Sequence, residues 1–132
     1  MENSNYRGKL GEDFVFSFLE RKGIKILARN YRTKLGEIDI IAEEKEKLCF
    51  IEVKTRLEDS LAEPLEFVNF RKQRKIILAA SQFLGENPVD LEISFDVYEV
   101  VCLRNCYFKV KQLKIHRAAF SLDENNSRGL NF

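Results

Sequence analysis

Within these 132 residues no apolar run approaches the ~20 residues that a membrane-spanning helix requires, so no membrane segment is expected. The opening Met1-Glu2-Asn3-Ser4-Asn5 lacks the basic segment and following apolar stretch of a secretory leader, and the chain is read as cytoplasmic. Cysteine is scarce. Cys49, Cys102 and Cys106 are odd in number, and the Cys-x3-Cys pair has no neighbouring Cys or His to complete a zinc site, so reduced structural thiols are expected. One histidine, His116, leaves little room for imidazole chemistry and is read as structural. An excess of charge is missing too: 22 basic against 21 acidic residues give +1, so any pull on an acidic polymer must come from local clustering. Repeats, linkers and low-complexity blocks are absent.

What remains is 45% hydrophobic and 33% charged, enough for one compact core and too little for two. Residues 1–120 are read as a single domain, and the polar stretch 121–132 as a mobile tail. Leu10, Phe14, Val15, Phe18 and Leu19 recur at helical spacing between Lys9 and Lys22, with Gly23 closing the segment. Strands are expected over 24–31, 37–43 and 47–55, forming a meander. After an acidic, irregular stretch from Leu57 to Glu66, Asn69 is the expected N-cap of a second helix running to about Leu84, ended by Gly85 and Pro88. Strands over 93–102 and 107–115 form a closing hairpin across Leu103-Arg104-Asn105-Cys106. The expected architecture is α/β, a mixed β-sheet flanked by helices in the order αβββαββ.

Side chains alternate along a strand, so Glu37 shares a face with Asp39, and Glu52 with Lys54. Glu52 and Lys54 lie between the apolar Ile51 and Val53 on a strand that looks internal, where charge is costly unless paired or metal-bound. Carboxylate oxygens are the hard ligands Mg²⁺ prefers, usually one or two of them with water and phosphate completing the shell. Asp39 and Glu52 suit that role, with Mn²⁺ as a substitute. Lys54, ~7 Å along the strand from Glu52, suits the placing of a water or the neutralising of charge on a phosphate. An ordinary Glu52–Lys54 ion pair on a solvated face is the competing reading.

Gly36-Glu37-Ile38-Asp39-Ile40-Ile41 followed by Phe50-Ile51-Glu52-Val53-Lys54-Thr55-Arg56 resembles the D-(spacer)-E-x-K signature of PD-(D/E)XK nucleases. More narrowly it resembles the YraN-like family of small bacterial proteins, which are similar to archaeal Holliday junction resolvases. Gly11-Glu12, Arg29-Asn30-Tyr31-Arg32, Lys72-Gln73 and Phe95-Asp96-Val97 extend the likeness over roughly residues 7–120. Two departures stand out: Ser94 occupies the place where that family usually has arginine, and the proline-aspartate of many nucleases is here Ile38-Asp39. The resemblance implies a restriction-endonuclease-like core. It also places Glu12 in the metal site with Asp39 and Glu52, although an acid near a helix N-terminus also suits the macrodipole.

Arg71, Lys72, Arg74 and Lys75 put four cations into five residues of the second helix, a dense basic turn suited to phosphates or merely a solvated face. Gln73, on the inward stripe, reads as a satisfied core amide, and Asp96 as a buried hydrogen-bonding partner. Arg29, Arg32 and Lys34 before the second strand, and Arg56 after the third, stand where a nucleic-acid backbone could cross. Together these imply a Mg²⁺-dependent endonuclease, a phosphodiester hydrolase acting on structured or branched DNA, with a homodimer left open. Two rivals stand beside it: a nuclease-fold protein that binds nucleic acid without cutting, and an adaptor whose carboxylates only pair with Lys54 and Arg56.

Overall fold

A computed structural model describes residues 4–60, 68–104 and 107–121, with side chains from Tyr6 onward. Most of the Leu57–Glu66 stretch, Asn105 and Cys106 of the closing turn, and the tail beyond Ser121 lie outside the described residues. The elements are α1 (Ser4–Arg21), β1 (Lys25–Arg32), β2 (Glu37–Glu44), β3 (Lys47–Leu57), α2 (Phe70–Glu86), β4 (Glu92–Cys102) and β5 (Val110–Phe120). This is the expected order, in one five-stranded sheet with strands in sequence order from β1 to β5. Among the described strands only β3 and β4 run parallel, joined by the crossover that contains α2, so the sheet is mixed.

The apolar pattern assigns each helix to a face. Ile76, Ile77, Ala80 and Phe83 of α2 cluster with Leu48, Phe50, Phe95 and Val97. Val15 and Leu19 of α1 cluster with Ile40, Cys49, Ile51, Val53, Tyr98 and Val100. β3 supplies alternate residues to both clusters, which is why its middle is buried on each side and reads as nearly continuous apolar sequence. At two points a helix comes so close that only glycine fits. A Cβ on Gly11 of α1 would fall on the hydroxyl of Thr55, and one on Gly36, ahead of β2, would fall on the backbone carbonyl of Lys75 in α2.

The boundaries depart from expectation in three places. α1 starts at Ser4, more than a turn before Lys9, and ends as expected at Gly23, whose φ of 73° lets the Gly23 and Ile24 amides turn back to Glu20 and Leu19. α2 starts at the expected cap, with Asn69 Oδ1 accepting the Lys72 amide at 3.0 Å, but runs through Gly85 to Glu86. Proline rather than glycine sets that end, because Asn87 precedes Pro88 and is pushed out of the helical region. β5 is displaced toward the C-terminus, from 107–115 to Val110–Phe120. It continues past a bulge at Ala118, with a φ of 49°, because Phe120 stacks on Phe95 at 5.1 Å and Phe95 on Phe50 at 5.5 Å.

Asp96 fills the expected buried role at that bulge. Its Oδ1 accepts the Ala118 amide at 2.9 Å and the Ser94 hydroxyl at 2.5 Å. Its other oxygen, Oδ2, stands 3.6 Å from the Arg117 guanidinium of β5. Cys49 and Cys102 are buried, and burial together with the nearby Asp96 carboxyl pushes the Cys49 thiol up to about 12.

Candidate active site

β2 and β3 are paired from Glu44↔Lys47 to Ile40↔Ile51, and there the ladder stops. Each strand then continues with its other neighbour, β2 with β1 as far as Glu37 and β3 with β4 as far as Leu57. Two strands that must follow different partners diverge, and the next residues past the last rung, Asp39 and Glu52, face into the fork. The freed amide of Val53 finds its acceptor in a side chain, Asp39 Oδ2, at 2.7 Å.

Asp39 and Glu52 are only 6% and 4% exposed, and their carboxyl groups meet. Burial first, then the charge of Glu52 and a hydrogen bond between the two carboxyls, push Asp39 up to about 8, against the opposing pull of the Val53 amide and Lys72. The pair therefore holds a proton at a pH where an ordinary aspartate holds none. Glu12 is also raised, by burial and then by the charge of Asp39, with Arg29 opposing. Glu12, Glu37, Asp39, Glu52, Lys54 and Lys72 all line one cavity of about 560 Å³.

Of the residues singled out from sequence, Asp39, Glu52, Lys54, Glu12 and Lys72 are thus brought together. Lys72 is not on the outer flank of α2 with its neighbours. Its amine forms an ion pair with Glu52, and although burial lowers its affinity for a proton, Glu52 and Asp39 more than offset that. Arg71 and Lys75 share a shallow hollow of about 380 Å³ with Lys72 and Asn69, while Arg74 is exposed and lines neither. Gln73 is a core amide, donating to the Val68 carbonyl at 2.8 Å.

The other basic residues singled out from sequence do not line the carboxylate cavity. Arg29 pairs with Asp13 and lies over the Phe16 ring, Arg32 pairs with Glu37 at 3.3 Å on the surface, and Lys34 is exposed in the turn. Arg56 is drawn away from any strand-end surface into an ion pair with the buried Glu99, which His116 also contacts at 3.2 Å. The adaptor reading assigns Arg56 to the site carboxylates, and the structure gives it to Glu99 instead.

Sequence reasoning missed the Val53 amide and the reach of Lys72 into the fork. A signal for the second was present. α2 has no acid in its first turn and carries Arg71 and Lys72 there instead, where the helix macrodipole disfavours cations. Such an arrangement asks for a nearby anion.

Among the described residues no group of three His, Cys, Asp or Glu side chains is close enough to hold an ion. Two buried carboxylates, with no nitrogen or sulfur donor of His or Cys in the cavity, do not suit zinc. They suit Mg²⁺ or Mn²⁺, which keep several waters and take one or two carboxylates. The raised Asp39 carboxyl, crowded by Glu52, supports that fit, since a divalent cation would relieve the repulsion that the proton now relieves.

The profile described as "Uncharacterised protein family UPF0102" matches residues 11–100 of this chain. A UPF0102 protein of Desulforapulum autotrophicum is 45% identical over 125 residues, covering 93% of this chain and all of that protein. One from Clostridioides difficile is 43% identical over 102 residues, covering 76% of this chain and 90% of its own length. Another, from Syntrophotalea carbinolica, is 48% identical over 94 residues, covering 70% and 76%. The matched span contains the fork, both helices' inner faces and the first part of β4.

Proposed function

We propose that this chain, which belongs to the UPF0102 family, is a metal-dependent endonuclease that hydrolyses phosphodiester bonds in structured or branched DNA. The observation that carries the reading is the burial of Asp39 against Glu52 in the β2–β3 fork, with Lys54 and Lys72 in the same cavity. The order αβββαββ agrees with a PD-(D/E)XK core similar to that of archaeal Holliday junction resolvases.

In this reading Asp39 and Glu52 hold Mg²⁺, or Mn²⁺ in its place. Bound there, the ion supplies Lewis-acid polarisation of a phosphoryl oxygen and lowers the pKa of water. Lys54 orients the attacking water and meets charge developing on the phosphate. Glu12 accepts a hydrogen bond from that water or supports a second ion. Arg71 and Lys75, at a helix start that lacks acids, grip the flanking phosphates, joined by Arg32 and Lys34 beyond the fork.

The neutralisation of Glu52 by Lys72 favours a second reading, a non-catalytic nucleic-acid-binding protein whose carboxylates need no metal. Cleavage assays on linear, nicked, flapped and four-way DNA with Mg²⁺ and with Mn²⁺ separate the two. Cutting that requires the ion and favours a branched substrate supports the nuclease. Tight binding with no cutting under any condition leaves the binding protein.

A further inference from the structure

Lys72 is held from two sides. Its backbone amide is fixed by the Asn69 cap at 3.0 Å, and the next residue, Gln73, is buried with its amide tied to the Val68 carbonyl at 2.8 Å. The first turn of α2 is thus tied at its cap and through Gln73, and the Lys72 side chain extends from that anchored turn. Its amine rests on Glu52, whose side chain is 5% exposed, while the lysine itself is 45% exposed. The same side chain lines both the carboxylate cavity and the shallow hollow it shares with Arg71 and Lys75.

An ammonium and a divalent cation repel one another and compete for the same carboxylate oxygen. Lysine, a compact point charge on a flexible four-carbon stem, can yield its place by rotating without any change in the helix that carries it. The hollow on its other side already presents cations suited to a phosphate, and an amine freed from Glu52 has an anion to seek there only when substrate is present.

We propose that Lys72 is an exchange cation: it neutralises Glu52 while no divalent ion is bound, and when displaced from Glu52 it turns to the Arg71–Lys75 hollow and takes a substrate phosphate. This rests on the carboxylate-site reading above and adds to it a coupling between ion and substrate, because each favours the position of Lys72 that the other needs.

The test is the Mn²⁺ affinity of the full chain, without nucleic acid, measured by titration calorimetry and by the electron paramagnetic resonance of free Mn²⁺. Lys72→Met keeps the stem and removes the competing charge, so it should bind Mn²⁺ about tenfold more tightly than the parent. Lys72→Arg keeps a cation and should stay within about threefold of the parent. Should methionine fail to fold, Lys72→Gln offers the same loss of charge with a polar head. Equal or weaker Mn²⁺ binding in the neutral variants overturns the exchange and leaves Lys72 as a fixed support for Glu52. Absence of Mn²⁺ binding in the parent overturns the carboxylate site itself, a different failure from the first.

Discussion

Two buried carboxylate centres share the central strand β3, and they have opposite electrostatic character. Glu99 of β4 is fully buried, yet Arg56 and His116 flank it. Although burial raises its pKa, the hydrogen bonds from these partners outweigh that and hold the carboxyl below its ordinary value. Asp39 of β2 is nearly as buried but faces another acid, and its pKa goes the other way. β3 contributes to both, with Arg56 completing one centre and Glu52 crowding the other. A buried charge with its partners in place holds the fold together, whereas one left in conflict beside an open cavity is a place where a ligand can gain free energy.

The sharpest break should come from chemistry. Asp39→Asn keeps the shape and loses the charge, so cleavage of a branched substrate should fall by at least ~10³-fold. Lys54→Ala should cost ~10²–10³-fold while Mn²⁺ binding persists. Glu99→Ala, read by denaturant unfolding, should behave in the opposite manner. Removing one member of a buried ion pair strands Arg56 and should cost about 3–5 kcal/mol of stability, with Mn²⁺ affinity unchanged in the protein that remains folded.

Ion binding gives the next largest contrast. At a concentration about 100 times its dissociation constant, Mg²⁺ should stabilise the parent by about 2.7 kcal/mol, and Asp39→Asn should lose most of that. If the asparagine variant responds as fully as the parent in thermal unfolding, the fork is not the binding site.

The pH dependence should split with opposite signs. Asp39, with a folded pKa of about 8 against an ordinary 3.8, contributes stability that is present below about pH 4 and is lost as pH rises toward 8. Glu99, lowered from 4.5, contributes stability above that value that is lost as pH falls through its folded pKa. Metal-free melting should therefore weaken from about pH 4 to about pH 8 in the parent and much less in Asp39→Asn, while Glu99→Gln should flatten only the acid limb. Identical alkaline slopes in parent and asparagine variant would remove the conflict assigned to the fork.

The smallest effect concerns phosphate grip. Lys72→Ala with Lys75→Ala should reduce the slope of log affinity against log salt by about 1 for each phosphate that is no longer neutralised. An unchanged slope would show that this turn of α2 does not grip phosphates.

Much of this architecture is legible in the sequence. Period-two alternation places Asp39, Glu52 and Lys54 on strands, and Asn69 marks the start of α2, because both signals are local. Partners across the sheet are not legible: Arg56 meets Glu99, 43 residues away, through the β3–β4 pairing, and nothing near Arg56 announces it. The Val53 amide is hidden because a backbone donor has no letter of its own. β5 is misplaced by sequence pattern because the bulge at Ala118 breaks the alternation that defines a strand by eye.

The close approaches at Gly11 and Gly36 bear on how a mutational scan of this protein should be interpreted. Each glycine adjoins an acid that lines the cavity, Glu12 and Glu37, yet neither carries a functional group. Alanine at Gly36 would press on the Lys75 carbonyl and lever the first turns of α2 off the sheet, and alanine at Gly11 would do the same to α1 against Thr55. Such variants would score as inactive beside true ligands, because the spacing between helix and sheet is itself the gauge that sets how far Lys72 and Glu12 can reach.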